Sequence, residues 1–130
     1  MRVYILNETR ANSFDEDSFD TILELWEKSY SKSQEFDDCI KYGIYHEYES
    51  DYKGDYTLSI ATEEIESDKE FEILETDKFK VYKIESVDDL PTLWQDIWDE
   101  EENEKFKRTY TYDLEKYNLD GSVEVYVNIK

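Results

Sequence analysis

The sequence predicts an α+β domain in which two strand-helix-strand-strand modules share one largely antiparallel sheet, with two main helices. Three observations predict this class. Apolar residues recur at helical spacing in two segments, residues 17–34 and 88–104. Short β-rich segments flank both of these helices. The order of the elements also repeats along a chain of 130 residues, which is the usual size of one domain.

The first half begins with a predicted strand at residues 2–8, where the apolar side chains alternate between two faces. A helix is predicted from Asp17 to about Gln34, with Asp17 or Ser18 as its N-cap. Its apolar face carries Phe19, Ile22, Leu23, Trp26 and Tyr30. Residues 41–49 and 55–63 are β-rich and flank a turn signal at Gly54, so they predict a hairpin.

The second half repeats this order. Residues 71–74 and 79–84 predict two strands that pair around a turn at residues 76–78. The second helix starts near Ser86 and has Pro91 in its first turn. One face of this helix carries Leu90, Leu93, Trp94, Ile97 and Trp98. Residues 110–130 predict a final hairpin that turns at residues 119–122.

Some residues repeat together with the elements. Trp26 and Trp94 are 68 positions apart, and the same shift brings Tyr42 onto Tyr110 and Glu47 onto Glu115. We therefore interpret residues 1–130 as one domain made of two half-modules, about 1–66 and 67–130, related by a pseudo-two-fold axis. A ligand is expected in the cleft between the two halves.

The charge of the chain excludes several partners. The 15 basic and 35 acidic residues give a net charge of −20. Nucleic-acid binding requires a basic surface, so we expect no direct binding to nucleic acid, and none to an anionic membrane. The aromatic content of 16% is typical of a chain that folds rather than of a disordered acidic chain. A protein partner with a basic surface remains compatible with this charge.

The remaining composition predicts a cytoplasmic protein. Cys39 is the single cysteine, so no internal disulfide can form, and the N-terminal residues lack the apolar stretch of a signal peptide. One histidine and one cysteine are too few for an ordinary zinc site, and we predict neither a metal nor another cofactor. We expect His46, the single histidine, to be a surface residue.

Three segments of the second half resemble a known family. They are the helix segment Leu93 to Trp98, residues 108–117 with their Asp-Leu-Glu-x-Tyr sequence, and residues 121–129. Together they are similar to the GyrI-like superfamily, a small-molecule-binding domain also fused to AraC-type and MerR-type regulators. The resemblance covers about residues 19–129. It implies an effector-binding domain with a central cavity for amphipathic, often cationic, aromatic molecules. Because the sensor-like fold uses all 130 residues, we expect a stand-alone member without a DNA-binding domain, in which this chain departs from the fused regulators.

The resemblance also implies that Glu115 is the acid of this cavity. A desolvated carboxylate attracts a lipophilic cation, because the cation restores the charge balance. Strand parity places Glu115 with Asp113 and Tyr117 and leaves open which face of the hairpin lines the cavity. The other candidate ligand-binding residues are aromatic: Trp94, Trp98, Tyr112, Trp26 and Tyr45. In these positions they can serve either as core or as cavity walls.

Three functions remain open at this point. The first is a binding module for a small hydrophobic or cationic molecule, which we favour. The second is a hydrolase of electrophilic small molecules, in which Glu115 would activate a water and Tyr112 would orient the substrate or donate a proton. The third is an acidic interaction module, such as an inhibitor of gyrase, that occupies a basic protein surface. An enclosed aromatic cavity beside Glu115 would favour the first two functions over the third.

Overall fold

The structure is a computed structural model that describes residues 1–32, 34–74 and 76–130, with the backbone only for Lys32 and Gln34. Within these described residues there are seven strands, two α-helices and two short 3-10 helices. The strands are β1 (Arg2–Ala11), β2 (Lys41–His46), β3 (Tyr56–Thr62), β4 (Glu70–Glu72), β5 (Phe79–Ile84), β6 (Tyr112–Tyr117) and β7 (Val123–Asn128). The helices are α1 (Ser18–Lys32) and α2 (Leu90–Glu102), and the 3-10 helices are Gln34–Asp38 and Val87–Asp89.

Both predicted helices are present, with ends within two residues of the predicted ones. The second begins as a 3-10 turn in which the Ser86 hydroxyl accepts a hydrogen bond from the amide of Asp88. Pro91 then occupies the first turn of α2, where the missing amide proton costs nothing because that turn lacks acceptors. In the described part of the chain, neither α1 nor α2 has the length and apolar character to cross a membrane.

All seven strands form one sheet in the order β4-β1-β3-β2-β6-β7-β5. The order is symmetric about the central antiparallel pair β2 and β6, because β1-β3-β2 on one side corresponds to β5-β7-β6 on the other. This arrangement confirms the predicted α+β class with two strand-helix-strand-strand modules in one antiparallel sheet.

The predicted pairing of residues 71–74 with residues 79–84 is wrong. The first of these strands, β4, pairs with β1, where Val3 lies opposite Phe71. The second, β5, pairs with β7, where Tyr82 lies opposite Val125. The two strands therefore form opposite edges of the sheet. The physical reason is that β5 is the first strand of the second module, as β1 is of the first. Each of these first strands pairs with the last strand of its own module, β7 or β3.

The core lies on both faces of the sheet. Helix α1 covers an apolar cluster that includes Leu25 and Leu58, and α2 covers a second cluster around Ile97 and Val125. The opposite face carries a third cluster that includes Ile44, Leu114 and Tyr112. Because side chains alternate along a strand, β2 and β6 contribute to the third cluster with one face and to the space between the helices with the other.

His46 is buried, so its predicted surface position is wrong. Only 8% of the residue is exposed. Its Nε2 lies 2.7 Å from the hydroxyl of Ser59, and its ring packs edge-on against Phe71. Burial lowers the pKa of His46, against the opposing effect of the nearby carboxylates of Glu47 and Glu8. His46 is thus a buried packing residue of the sheet, because the alternation along β2 turns it away from the helices.

Candidate functional site

A cavity of about 570 Å³ lies between the two helices and the central strands, and we call it the central cavity. Residues of α1, α2, β2, β3 and β6 line it. Its walls are mainly aromatic and apolar, with Glu115 and Arg108 as the two charged side chains among the described lining residues. The aromatic lining residues are Phe19, Trp26, Tyr45, Tyr48, Tyr52, Tyr56, Trp94, Trp98 and Tyr117.

Glu115 lies in the wall of this cavity, and 2% of the residue is exposed to solvent. Its carboxylate accepts three hydrogen bonds. One oxygen accepts from the Tyr45 hydroxyl at 2.9 Å and from the Trp94 indole at 2.6 Å. The other oxygen accepts from the Tyr117 hydroxyl at 2.6 Å. The donors come from β2, α2 and β6, so three separate elements fix the position of the acid.

The carboxylate of Glu115 has no counter-charge within the described residues, since no lysine or arginine there forms an ion pair with it. Burial raises the pKa of Glu115 above its ordinary range, although hydrogen bonds from Tyr117, Trp94 and Tyr45 partly oppose this. Burial and the adjacent Glu115 also raise the pKa values of Tyr45 and Tyr117 well above their usual range. The two hydroxyls therefore keep their protons and remain donors.

Arg108 also lines the central cavity, but its charge is already compensated. Its guanidinium lies 2.5 Å from the carboxylate of Asp113, and 1% or less of either side chain is exposed. Asp113 also accepts from the Tyr48 hydroxyl at 2.5 Å and from the Asn128 amide at 2.8 Å. The guanidinium packs over the ring of Tyr110, 4.5 Å from its centroid. Glu115 is therefore the buried acid of the cavity lining that has no basic partner among the described residues.

Gly43 makes room for the acid, because it lies directly opposite Glu115 in the pairing of β2 with β6. A Cβ atom at position 43 would lie 3.2 Å from the Oε1 of Glu115, which is closer than ordinary van der Waals contact. The offset of 68 therefore does not apply to these strands. Glu47, the predicted counterpart of Glu115, is an exposed residue outside the cavity lining.

The aromatic residues around Glu115 follow the pseudo-two-fold arrangement. A rotation about the Gly43–Glu115 pair exchanges Tyr45 with Tyr117, as the strand register requires. Trp26 packs edge-on against Tyr117 at 5.1 Å, and Trp94 packs edge-on against Tyr45 at 5.5 Å. Each tryptophan thus contacts a strand tyrosine of the other module. The two environments correspond, which is the outcome that the duplication hypothesis requires.

Replacing Gly43 by Ala should weaken ligand binding while leaving the fold intact. The added methyl group displaces the carboxylate of Glu115 from its three donors, and such overpacking typically costs about 1–3 kcal/mol. Replacing a glycine inside a strand by alanine also stabilises the folded state by about 0.5–1 kcal/mol. This gain offsets part of the cost of overpacking in the free energy of unfolding. Titration of a cationic dye and urea unfolding measure the two effects. If Gly43→Ala weakens binding equally when Glu115 is already Gln, the methyl group does not act through the acid.

The structure places five of the six predicted site residues in the lining of the central cavity: Glu115, Trp94, Trp98, Trp26 and Tyr45. Tyr112 is not among them. It lies on the opposite face of the sheet, where its hydroxyl donates to the carboxylate of Asp77 and its ring packs against Phe71 and Phe79. The hydrolase hypothesis requires Tyr112 to lie beside Glu115. The structure instead places the two side chains on opposite faces of the sheet.

Sequence reasoning missed several residues of the site. Tyr117 was detectable, because strand parity places it on the same face as Glu115. Tyr48 and Tyr52 follow β2 in a loop, and Arg108 precedes β6, so no periodic pattern identifies them. Tyr52 stacks on Trp98 with ring centroids 5.1 Å apart, and Phe14 contacts the same indole at 5.4 Å. Tyr52 and Trp98 line the cavity there, and Phe14 packs against both rings without belonging to the lining.

Comparison with known proteins identifies the family. The model of the Cass2 family, described as integron-associated effector binding protein, matches residues 3–129. The chain therefore belongs to this family and is a member of the GyrI-like effector-binding superfamily. A solved structure, the integron cassette protein VCH_CASS2 from the mobile metagenome of Vibrio cholerae, is similar with 25% identity and a TM-score of 0.83. The match covers 100% of this chain and 90% of that one. The comparison with curated proteins found no significant match.

Proposed function

We propose that this member of an effector-binding family binds an amphipathic small molecule that carries a positive charge on a flat aromatic body. The uncompensated carboxylate of Glu115 in an aromatic cavity is the observation that carries this proposal. A buried charge without a partner is costly. A bound cation supplies the missing counter-charge, and the gain is large because the site is shielded from water.

The walls of the cavity suit the aromatic part of such a ligand. Trp94 and Trp98 lie one turn apart on α2 and both line the cavity. Indole rings attract cations to their faces and offer large apolar surfaces for stacking. The cavity volume of about 570 Å³ is within the usual range for drug-sized ligands. We propose the cytoplasm as the place where this binding occurs.

The other two functions have less support. The cavity gives the protein a concave aromatic ligand site, which an acidic module that only occupies a basic protein surface does not need. A hydrolase built on Glu115 would need a free proton donor beside the acid, but Tyr45 and Tyr117 already donate to its carboxylate. The aromatic cavity with a buried acid in its wall supports ligand binding directly, so we place this function first.

Titration with a rhodamine-type dye tests the proposal. The dye should quench tryptophan fluorescence on binding, because Trp94 and Trp98 would lie against its ring system. A neutral dye of the same shape, such as a fluorescein ester whose phenol is also methylated, should bind more weakly, because it cannot compensate Glu115. Equal affinities for the cationic and the neutral dye would contradict the proposal.

The affinity for a cation should also depend on pH. With a permanently charged dye, lowering the pH protonates Glu115 and removes its attraction, so the dissociation constant should rise. Since burial raises the pKa of Glu115, this loss should begin at a higher pH than an ordinary glutamate would produce. Tyr45 and Tyr117 stay protonated throughout this range. The variant Glu115→Gln should show a flat profile, and an unchanged profile in that variant would assign the titration to another group.

A further inference from the structure

A second cavity of about 410 Å³ adjoins the central cavity, and we call it the outer cavity. Three residues, Trp26, Val87 and Tyr117, line both cavities. The outer cavity continues past them toward the β6–β7 hairpin, where Leu119 and Ser122 belong to its lining. Both cavities are open to solvent, and Val87, which is 51% exposed, lines both of them. A molecule bound beside Glu115 can therefore extend over Val87 into the outer cavity.

The pseudo-two-fold axis relates the outer cavity to the side of the central cavity that lies next to Trp98. The central cavity extends toward the β2–β3 hairpin and Trp98, and the outer cavity extends toward the β6–β7 hairpin and Tyr30. Tyr30 and Trp98 are 68 positions apart, which is the offset of the two helix tryptophans. The cleft thus has two arms with Glu115 near its centre, although only one arm is mainly aromatic.

The chemistry of the outer arm is polar. The Lys41 ammonium donates to the backbone oxygens of Asp37 and Cys39, at 3.2 Å each, and keeps a third proton. The side-chain nitrogen of Asn118 donates to Ser122 and Glu124, whereas its carbonyl oxygen has no hydrogen bond in the part of the chain that is described. The arm therefore offers both a donor and an acceptor.

The charges of the outer arm favour an uncharged guest. Lys41 and Asp37 both line it, so its two formal charges balance. A hydroxyl group can accept from an ammonium and donate to an amide or carboxylate oxygen, and a carbonyl group can accept from the ammonium. A second cation or an anion would meet one repulsive partner there, whereas a neutral polar group would meet none.

We propose that the outer cavity is a second subsite, which takes an uncharged arm with hydroxyl or carbonyl groups on the same ligand whose cationic aromatic body occupies the central cavity. This inference rests on the proposed function and adds the class of ligand: an elongated molecule with one cationic aromatic end and one neutral polar end. The uncharged arm of the ligand passes Val87 as it leaves the central cavity. Lys41 and Asn118 then contact the polar groups of that ligand arm.

The test compares two cationic dyes on the protein: a rhodamine methyl ester, and the same rhodamine joined to glucosamine through a tertiary piperazine amide. A tertiary amide keeps the dye open and cationic, whereas a secondary amide would close to a neutral spirolactam. The glucosamine conjugate should bind about two- to tenfold more tightly, which is the usual net effect of a hydrogen bond. Leu119→Trp should abolish this difference, because the larger side chain fills the outer cavity from an exposed hairpin position that the fold tolerates. The matched control is Val81→Trp on the exposed edge of β5, which should keep the difference.

The outcomes separate this inference from the proposed function. If the rhodamine ester binds and the glucosamine arm adds nothing, the second subsite is refuted and the proposed function stands. If the advantage of the arm survives Leu119→Trp, the arm binds elsewhere and the inference is wrong. If neither dye binds, the proposed function itself fails, and the inference fails with it.

Discussion

Replacing Glu115 by Gln should weaken the binding of a rhodamine-type cation by about 1–3 kcal/mol, or roughly 5- to 150-fold in Kd. The substitution keeps the shape of the side chain and removes the charge that the cation compensates. The loss is large because the carboxylate is shielded from water and has no basic partner among the described residues. Fluorescence titration of the wild type and the variant measures it.

Two controls make this result specific to the site. The neutral dye of the same shape should bind both proteins with similar affinity, since it does not use the charge. Glu66→Gln removes the same charge from an exposed position outside the cavity lining, so it reports the general effect of net charge. If Glu66→Gln weakens cation binding as much as Glu115→Gln does, the affinity comes from the net negative charge of the whole protein. Glu115 is then not part of the binding site.

Replacing Arg108 by Met should lower the free energy of unfolding by about 3–5 kcal/mol, the usual cost of removing one partner of a buried ion pair. Asp113 is fully buried, and its carboxylate would lose the guanidinium that lies 2.5 Å away. The hydrogen bonds from Tyr48 and Asn128 remain but do not supply a compensating charge. Urea unfolding, followed by far-UV circular dichroism, measures the change.

The double variant Arg108→Met with Asp113→Asn provides the control. The asparagine still accepts from the Asn128 amide and carries no charge, so part of the lost stability should return. This recovery would show that the uncompensated carboxylate, rather than lost packing of the arginine stem, causes most of the destabilisation. A double variant that is less stable than Arg108→Met would contradict this explanation.

Much of the fold could be predicted because its signals are local. The apolar spacing that includes Trp26 and Trp94 defined both helices, since a helix must bury one face. The alternation along β6 placed Glu115 and Tyr117 on one face and Tyr112 on the other. That parity already separated Tyr112 from Glu115, and the structure follows it without a bulge between β2 and β6.

The features that escaped prediction depend on contacts between distant segments. The strands at residues 70–72 and 79–84 look like a hairpin in the sequence, but their partners, β1 and β7, come from other parts of the chain. Gly43 has significance only because β2 pairs with β6 in one particular register. Arg108 belongs to no strand or helix, and its pairing with Asp113 depends on how the chain enters β6.

Gly43 and Glu115 can lie opposite each other only because the two modules differ in sequence. A homodimer of one module, joined through the same strand, would present the same residue at both facing positions. It would carry two glycines and no acid, or two glutamates in contact, which repel each other and share one proton. A cation would then have to expel that proton in order to bind. Joining the modules in a single chain lets one strand lose its side chain and the other supply a solitary carboxylate.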